Sequence, residues 1–375
     1  MIERMKYSSF ITVVAAAAFI AGGAACSSCS KPETGYKWQE EWNDPSEDEP
    51  DTPAETVLPV LPEKPLSALV DPTTIGWKDV TSSYKAGEGV KVYCFTDKFF
   101  SRPAIAYIAV GKFPDVELAN WSINDPELSG TTDAFKTPSE VYEETSAGVI
   151  VNGGYFYSSG GKNYSASLVV CDGTVFGQNI NYASEDWKTM YYPTRAAFIE
   201  YNNNTFEAAW TYYTSAGETY VYQSPAENSW KKKPLAVPSA IFPCAASSLD
   251  GAFNAIGGGP VLLKGGEIRN TYVEELFDGD SGIAPDGYAP RTAVGISADS
   301  RLVLFVCEGR EMTEGVKGLT TEEVAKVLYS LGCTEAINLD GGGSSCMLIG
   351  GKETIKVSDG SQRAVGSVVY FEEIW

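Results

Sequence analysis

The feature that most limits the fold is the shortness of the apolar runs. From about residue 66 onward, stretches rich in Val, Ile, Tyr and Phe are repeatedly broken by Gly, Asn and Asp. Examples lie at 90–95, 104–110, 148–151, 167–170, 196–201, 294–296, 302–306 and 365–371. Runs of this length and composition read as strands closed by turns, not as helices. Residues 205–222, with Trp and Tyr, fit a hairpin. One stretch keeps a different period. Thr320 and Glu323 make a capping box, Val324, Val327, Leu328 and Leu331 fall on one helical face, and Gly332 can end the helix. A short strand at 336–339 follows. The expectation is a single large α+β domain with a mixed, mainly antiparallel β core and few helices.

Ahead of residue 66 the pattern changes. Arg4 and Lys6 precede an apolar run at 10–20, which ends in small residues before Cys26. This is the form of a secretory signal, here 1–25. Cys26, directly after the small residues, is the expected lipidation site of a bacterial-type lipoprotein. Residues 26–65 are rich in Pro, Glu and Asp without apolar period, and read as a disordered acidic tether. The apolar run is too short to span a bilayer. We therefore expect an exported domain at 66–375, held at the outer membrane or cell surface by its lipid alone.

The chain contains no histidine. That excludes a Ser-His-Asp triad and any His-ligated zinc or haem. Acid–base work falls to carboxylates, Lys, Tyr, Cys or water. A formal net charge of −21 argues against nucleic acid as a partner, because phosphate binding needs a basic face. Beyond the tether, Cys94, Cys171, Cys244, Cys307, Cys333 and Cys346 show no pairing pattern. Most sit in apolar runs and read as buried small hydrophobes.

The densest chemistry follows the 336–339 strand, at Asn338, Asp340, Gly341, Gly342, Gly343, Ser344 and Ser345. Glycines after a strand allow positive φ and close backbone approach. Successive amides there can form an anion-binding nest, with Asp340 at its edge. A plain structural turn, with Asp340 capping its own loop, is the alternative. The polar neighbours Asn338 and Ser344 favour a site. A second strand runs into Asn152, Gly153 and Gly154, and a third glycine cluster lies at 257–259. Arg291 and Thr292 open one apolar strand, while Glu308 and Arg310 follow another. Arginine forks match phosphate or carboxylate oxygens, and Glu308 offers a second carboxylate. Arg363 is a further cation. Asp340, Glu308 and Asn338 could together offer oxygen ligands to a divalent cation, though no metal set is assigned.

Taken in order, these pieces resemble the phosphodiester glycosidase family. They are VNGGYF at 151–156, GGGPVLL at 257–263, PRTAVGI at 290–296, CEGR at 307–310, GLTTEEVAKVL at 318–328, AINLDGGGSS at 336–345 and QRAVGSVVY at 362–370. The likeness spans about 148–371. It implies hydrolysis of the glycosidic bond of a sugar-1-phosphodiester, such as an N-acetylglucosamine-1-phosphodiester or a related glycan or glycolipid. It also implies a cavity with Asp340 and Glu308 as catalytic carboxylates. Asn152, Gly153, Arg291, Thr292, Arg310, Asn338, Gly341, Gly342, Ser344 and Arg363 are then expected to hold substrate. Arg291, Arg310 and the loop amides would take the phosphate. Two departures stand out. Glu308 replaces an Asp frequent in the family, and 158–249 has no evident counterpart, so substrate choice is expected there. Two rival functions remain. One is a non-catalytic glycan-binding lipoprotein using Trp187, Trp210 and Trp230 as stacking platforms. The other is a phosphodiesterase cleaving the P–O bond.

Overall fold

The computed structural model describes residues 58–123, 134–279 and 281–373. The signal segment, Cys26 and most of the tether lie outside these residues. The Leu58 carbonyl accepts from the Phe100 amide at 2.7 Å, and its side chain packs on the core.

Three sheets, of eight, seven and five strands, carry the fold. All paired strands among the described residues are antiparallel. Two α-helices accompany them among the described residues, so the architecture is mainly β, and both the α+β label and the mixed sheet give way. The expected strand at 196–201 and hairpin at 205–222 appear as Arg195–Tyr201, Phe206–Tyr213 and Thr219–Tyr222, all in the seven-stranded sheet.

Local sequence explains the elements that frame the site. All seven residues of Arg291–Ser297 are buried, as befits a central strand covered on both faces. Ala293 faces one core cluster, and Val294 and Ile296 face another. Helix Thr321–Leu331 closes the first cluster with Val324, Val327, Leu328 and Leu331, all fully buried. Each such side chain contributes about 1.5–3 kcal/mol of burial. The helix has its capping box, and Gly332 ends it at φ 97° in the left-handed region. A second helix, Pro138–Thr145, starts from another capping box at Thr137 and Glu140, which the periodicity reading passed over.

Register then delivers the chemistry. Cys333–Asn338 lies between Val261–Lys264 and Arg291–Ser297, and the latter pairs with Arg301–Cys307. Ala293 stands opposite Asn338, and Arg291 opposite Cys307. The ends of three adjacent strands therefore present Asp340, Arg291 and Glu308 at one edge. The six described cysteines are free, four of them buried and Cys171 and Cys244 half-buried, in line with the reading as apolar residues.

Candidate active site

The glycine loop turns sharply after Asp340. Gly342 has φ 59°, and Gly342–Ser344 forms a single 3-10 turn. Its amides are largely spent within the protein. Gly341 donates to Asp340 Oδ1 at 2.8 Å, and Gly342 to the Pro290 carbonyl at 2.9 Å. Ser344 N donates to the Gly341 carbonyl at 3.1 Å. The expected anion nest is thus mostly closed. The glycines serve a different end, which is to let side chains come close. A Cβ at Gly342 would lie 2.7 Å from Arg310 Nη2, and one at Gly343 would collide with Arg363 Nη2 and Asp359 Oδ2.

Several expected substrate ligands turn out to be scaffold. Asn152 is fully buried. Its amide donates to the Asp340 carbonyl at 2.7 Å, and its Oδ1 accepts from Thr292 Oγ1 at 2.7 Å and Cys346 N at 3.1 Å. Thr292 is likewise buried and spends its hydroxyl on Asn152. Gly153 accepts from the Asp340 amide at 3.0 Å and leaves no room for a side chain beside Ser367. Arg291 is only 1% exposed. Its guanidinium donates to four backbone carbonyls, those of Leu319, Ile283, Ala284 and Gly287. A fork so occupied ties down the 283–290 segment; it has little left to hold a phosphate.

The accessible cations are Arg310 and Arg363, with side chains 50% and 41% exposed. Both lean on Asp359, which the sequence reading missed. Arg363 binds its Oδ2 through Nε at 3.0 Å, and Arg310 Nη1 lies 3.6 Å from its Oδ1 and 3.2 Å from Ser358 Oγ. Arg363 Nη1 also donates to the buried Ser344 hydroxyl at 3.2 Å. Glu308 is 2% exposed and bonds the 354–366 segment that carries Asp359 and Arg363. Its Oε2 accepts from the Lys356 amide at 3.1 Å, while Oε1 has no partner. Asn338 is buried with Oδ1 likewise unpartnered, and its amide donates to the Gly259 carbonyl at 3.0 Å.

Burial pushes the Asp340 carboxyl up to about 6, against the pull of the Ser344 hydroxyl, the Gly341 amide, Arg363 and Arg291. Such a group exchanges its proton near neutrality, as acid–base catalysis requires. Tyr155 is the neighbour on the other side. Its hydroxyl donates to the Gly259 carbonyl at 2.6 Å, and burial, then the Asp340 charge, push its pKa well up. Tyr155 stood within the quoted VNGGYF motif, so a signal existed; Asp359 and Ser358 lie in a Ser-Asp-Gly turn with no signal beyond polarity. Among the described residues no group of three or more acidic or Cys side chains could hold a metal, and no step below runs through one. Of the three tryptophans, Trp210 is core and Trp230 is half-buried, donating to the Asp278 carbonyl at 3.2 Å; Trp187 is exposed.

The chain is similar to several known proteins. Residues 145–372 match the phosphodiester glycosidase family. An uncharacterized SPbeta prophage-derived protein, YomE of Bacillus subtilis strain 168, is 40% identical over 76 residues. That segment is 20% of this chain and 12% of the relative's length. Among solved structures, a hypothetical protein from Synechocystis is similar with TM-score 0.51 and 15% identity, over 79% of this chain and 63% of that one. The zebrafish N-acetylglucosamine-1-phosphodiester α-N-acetylglucosaminidase catalytic domain, auto-inhibited by its pro-peptide, aligns with TM-score 0.47 and 19% identity, over 80% of this chain and 89% of that one.

Proposed function

The chain belongs to the phosphodiester glycosidase family, and from that premise we propose that it is a hydrolase cleaving the glycosidic bond of a sugar-1-phosphodiester. One observation carries the reading. Asp340, its carboxyl held at about 6 by burial, stands at the lip of a glycine loop that brings Arg363 and Arg310 within reach.

The roles follow from charge. Two guanidiniums share the single carboxylate of Asp359, which leaves one positive charge for a phosphate in a strongly acidic chain. Arg310 and Arg363 hold the phosphodiester, and Ser344 joins Arg363 to the Asp340 side. A phosphate monoester leaves readily, because its own second pKa is about 6. Little acid help is needed on that side. The demand falls on the sugar, where the anomeric carbon becomes oxocarbenium-like. The C1–O bond breaks with its electron pair passing to the phosphate oxygen, and water oxygen bonds to C1. Asp340, ionised above about pH 6, takes the water proton. Glu308 keeps one unpartnered oxygen for a donor brought by water or substrate. In the same reading, the N-terminal signal exports the chain and Cys26 tethers it to the envelope. Cys26→Ser should then move the protein from the membrane to the soluble fraction; unchanged fractionation would remove the lipid anchor.

Hydrolysis in heavy-oxygen water tests the bond broken. Label in the hydroxyl of the released sugar supports the glycosidase. Label in the phosphate product would replace it with P–O cleavage, and saturable binding without turnover would favour a glycan-binding protein.

A further inference from the structure

Arg195 opens the Arg195–Tyr201 strand, in the stretch where substrate choice was expected, and it is used by none of the steps above. Its guanidinium carbon stacks 4.2 Å from the centre of the Phe277 ring. Its Nη1 is buried and has no hydrogen-bond partner. Two acceptors stand near and neither receives Nη1, although the Glu275 carboxylate offsets part of the charge. Glu275 is fully buried, and Oε1 accepts from Val261 N at 2.8 Å, Thr271 Oγ1 at 2.7 Å and Trp210 Nε1 at 3.2 Å. Its Oε2 accepts from Ala196 N at 2.8 Å. The Gly259 carbonyl receives Tyr155 and Asn338.

The arginines of the candidate site differ in this. Arg291 is occupied by carbonyls, and Arg310 and Arg363 by Asp359. A buried guanidinium N–H without an acceptor is costly, and native proteins keep few such groups without a purpose. Burial lowers the Arg195 pKa only to about 10, so it stays charged at neutral pH.

Position ties Arg195 to the site. Tyr155 packs 5.6 Å from Phe277, ring centre to ring centre, so Arg195 and Tyr155 flank the same ring. Tyr155 lies close enough to Asp340 for that carboxylate to raise its pKa. Arg310 and Arg363 lie instead at the glycine loop, Arg363 linked toward Asp340 through Ser344. We propose that Arg195 binds an anionic group on the sugar itself, with Tyr155 and Phe277 as the walls of that subsite, so that the substrate is the phosphodiester of an acidic sugar. A carboxylate at the ring would complete the Nη1 hydrogen bond, and the half-buried Tyr155 would pack on the ring carbons.

This inference rests on the glycosidase reading for the identity of the reaction, but the subsite can be tested apart from turnover. The probes are glucuronic acid 1-phosphodiester and its neutral glucose counterpart, with the full chain, Arg195→Met and Arg195→Lys. Folding of each variant is checked by its thermal midpoint. The parent should favour the uronic acid in kcat/KM by about tenfold or more, as one charge-assisted contact supplies. Arg195→Met should bring the ratio to about one, and Arg195→Lys should restore part of it. A parent that favours the neutral sugar, or an Arg195→Met that lowers both substrates equally, would overturn the assignment. If neither probe is cleaved, calorimetry with glucuronic acid alone decides. Binding that Arg195→Met abolishes keeps the subsite while the glycosidase reading fails; no binding removes the subsite.

Discussion

At the residue scale, the partners of a polar side chain decide its role, and residue type alone does not. Asn152, Thr292 and Arg291 looked like ligands because polar groups next to glycines and strand ends often are. Their hydrogen bonds are filled by the protein, which makes them joints. Arg291→Met would leave four carbonyls without their donor, at about 1–3 kcal/mol for each one not rescued by water. Chemical denaturation should show a loss of about 3 kcal/mol or more; unchanged stability with a raised KM would return Arg291 to the substrate. Asp340 is the opposite case. Its raised pKa predicts that kcat/KM climbs with pH through about 6, where the ionised base appears. A profile flat from pH 5 to 7 would contradict that role.

At the element scale, the sequence was most informative where local chemistry is self-sufficient. Helix Thr321–Leu331 could be read from its cap, its apolar face and Gly332, because all three act within the helix itself. Thr320→Ala should cost about 1 kcal/mol in unfolding free energy, and no change would mean that packing alone fixes the helix start. Strand 90–95 was equally legible. Pairing was not, because register depends on residues far apart. Asp359 and Arg363 reach Gly343 only through the fold of the 354–366 strap. Gly343→Ala should therefore displace both side chains and raise KM at least several-fold with little change in thermal midpoint. An unaltered KM would mean that the strap is not part of the binding face. Arg195 stands at the start of a legible strand and Glu275 lies outside any motif, so nothing local announced a role for either.

At the scale of the whole molecule, buried acids give stability a definite slope with pH. Burial raises the Glu200 and Glu275 carboxyls to about 7, with hydrogen bonds opposing the shift. Their ordinary value is about 4.3. The folded state therefore holds these protons more tightly than the unfolded chain. That contribution is complete below about pH 4.3 and is lost as pH rises through about 7. The net charge of −21 adds self-repulsion in the same direction. Groups with lowered values, such as Asp79 and Asp299, act the other way, but only as pH falls below about 4. The thermal midpoint should be higher at pH 5 than at pH 8, and Glu200→Gln should flatten the slope; a midpoint that rises toward pH 8 would refute this assignment. The same economy of burial sets the site, where a carboxyl drawn below the surface is poised between its two protonation states. The most direct test of the account is release of free sugar from a panel of sugar-1-phosphodiesters by the parent and by Asp340→Asn, with folding of both confirmed. The account predicts turnover by the parent that falls at least about 100-fold in the variant. Equal turnover by the two proteins would contradict it, because the chemistry would then be centred elsewhere than at the glycine loop.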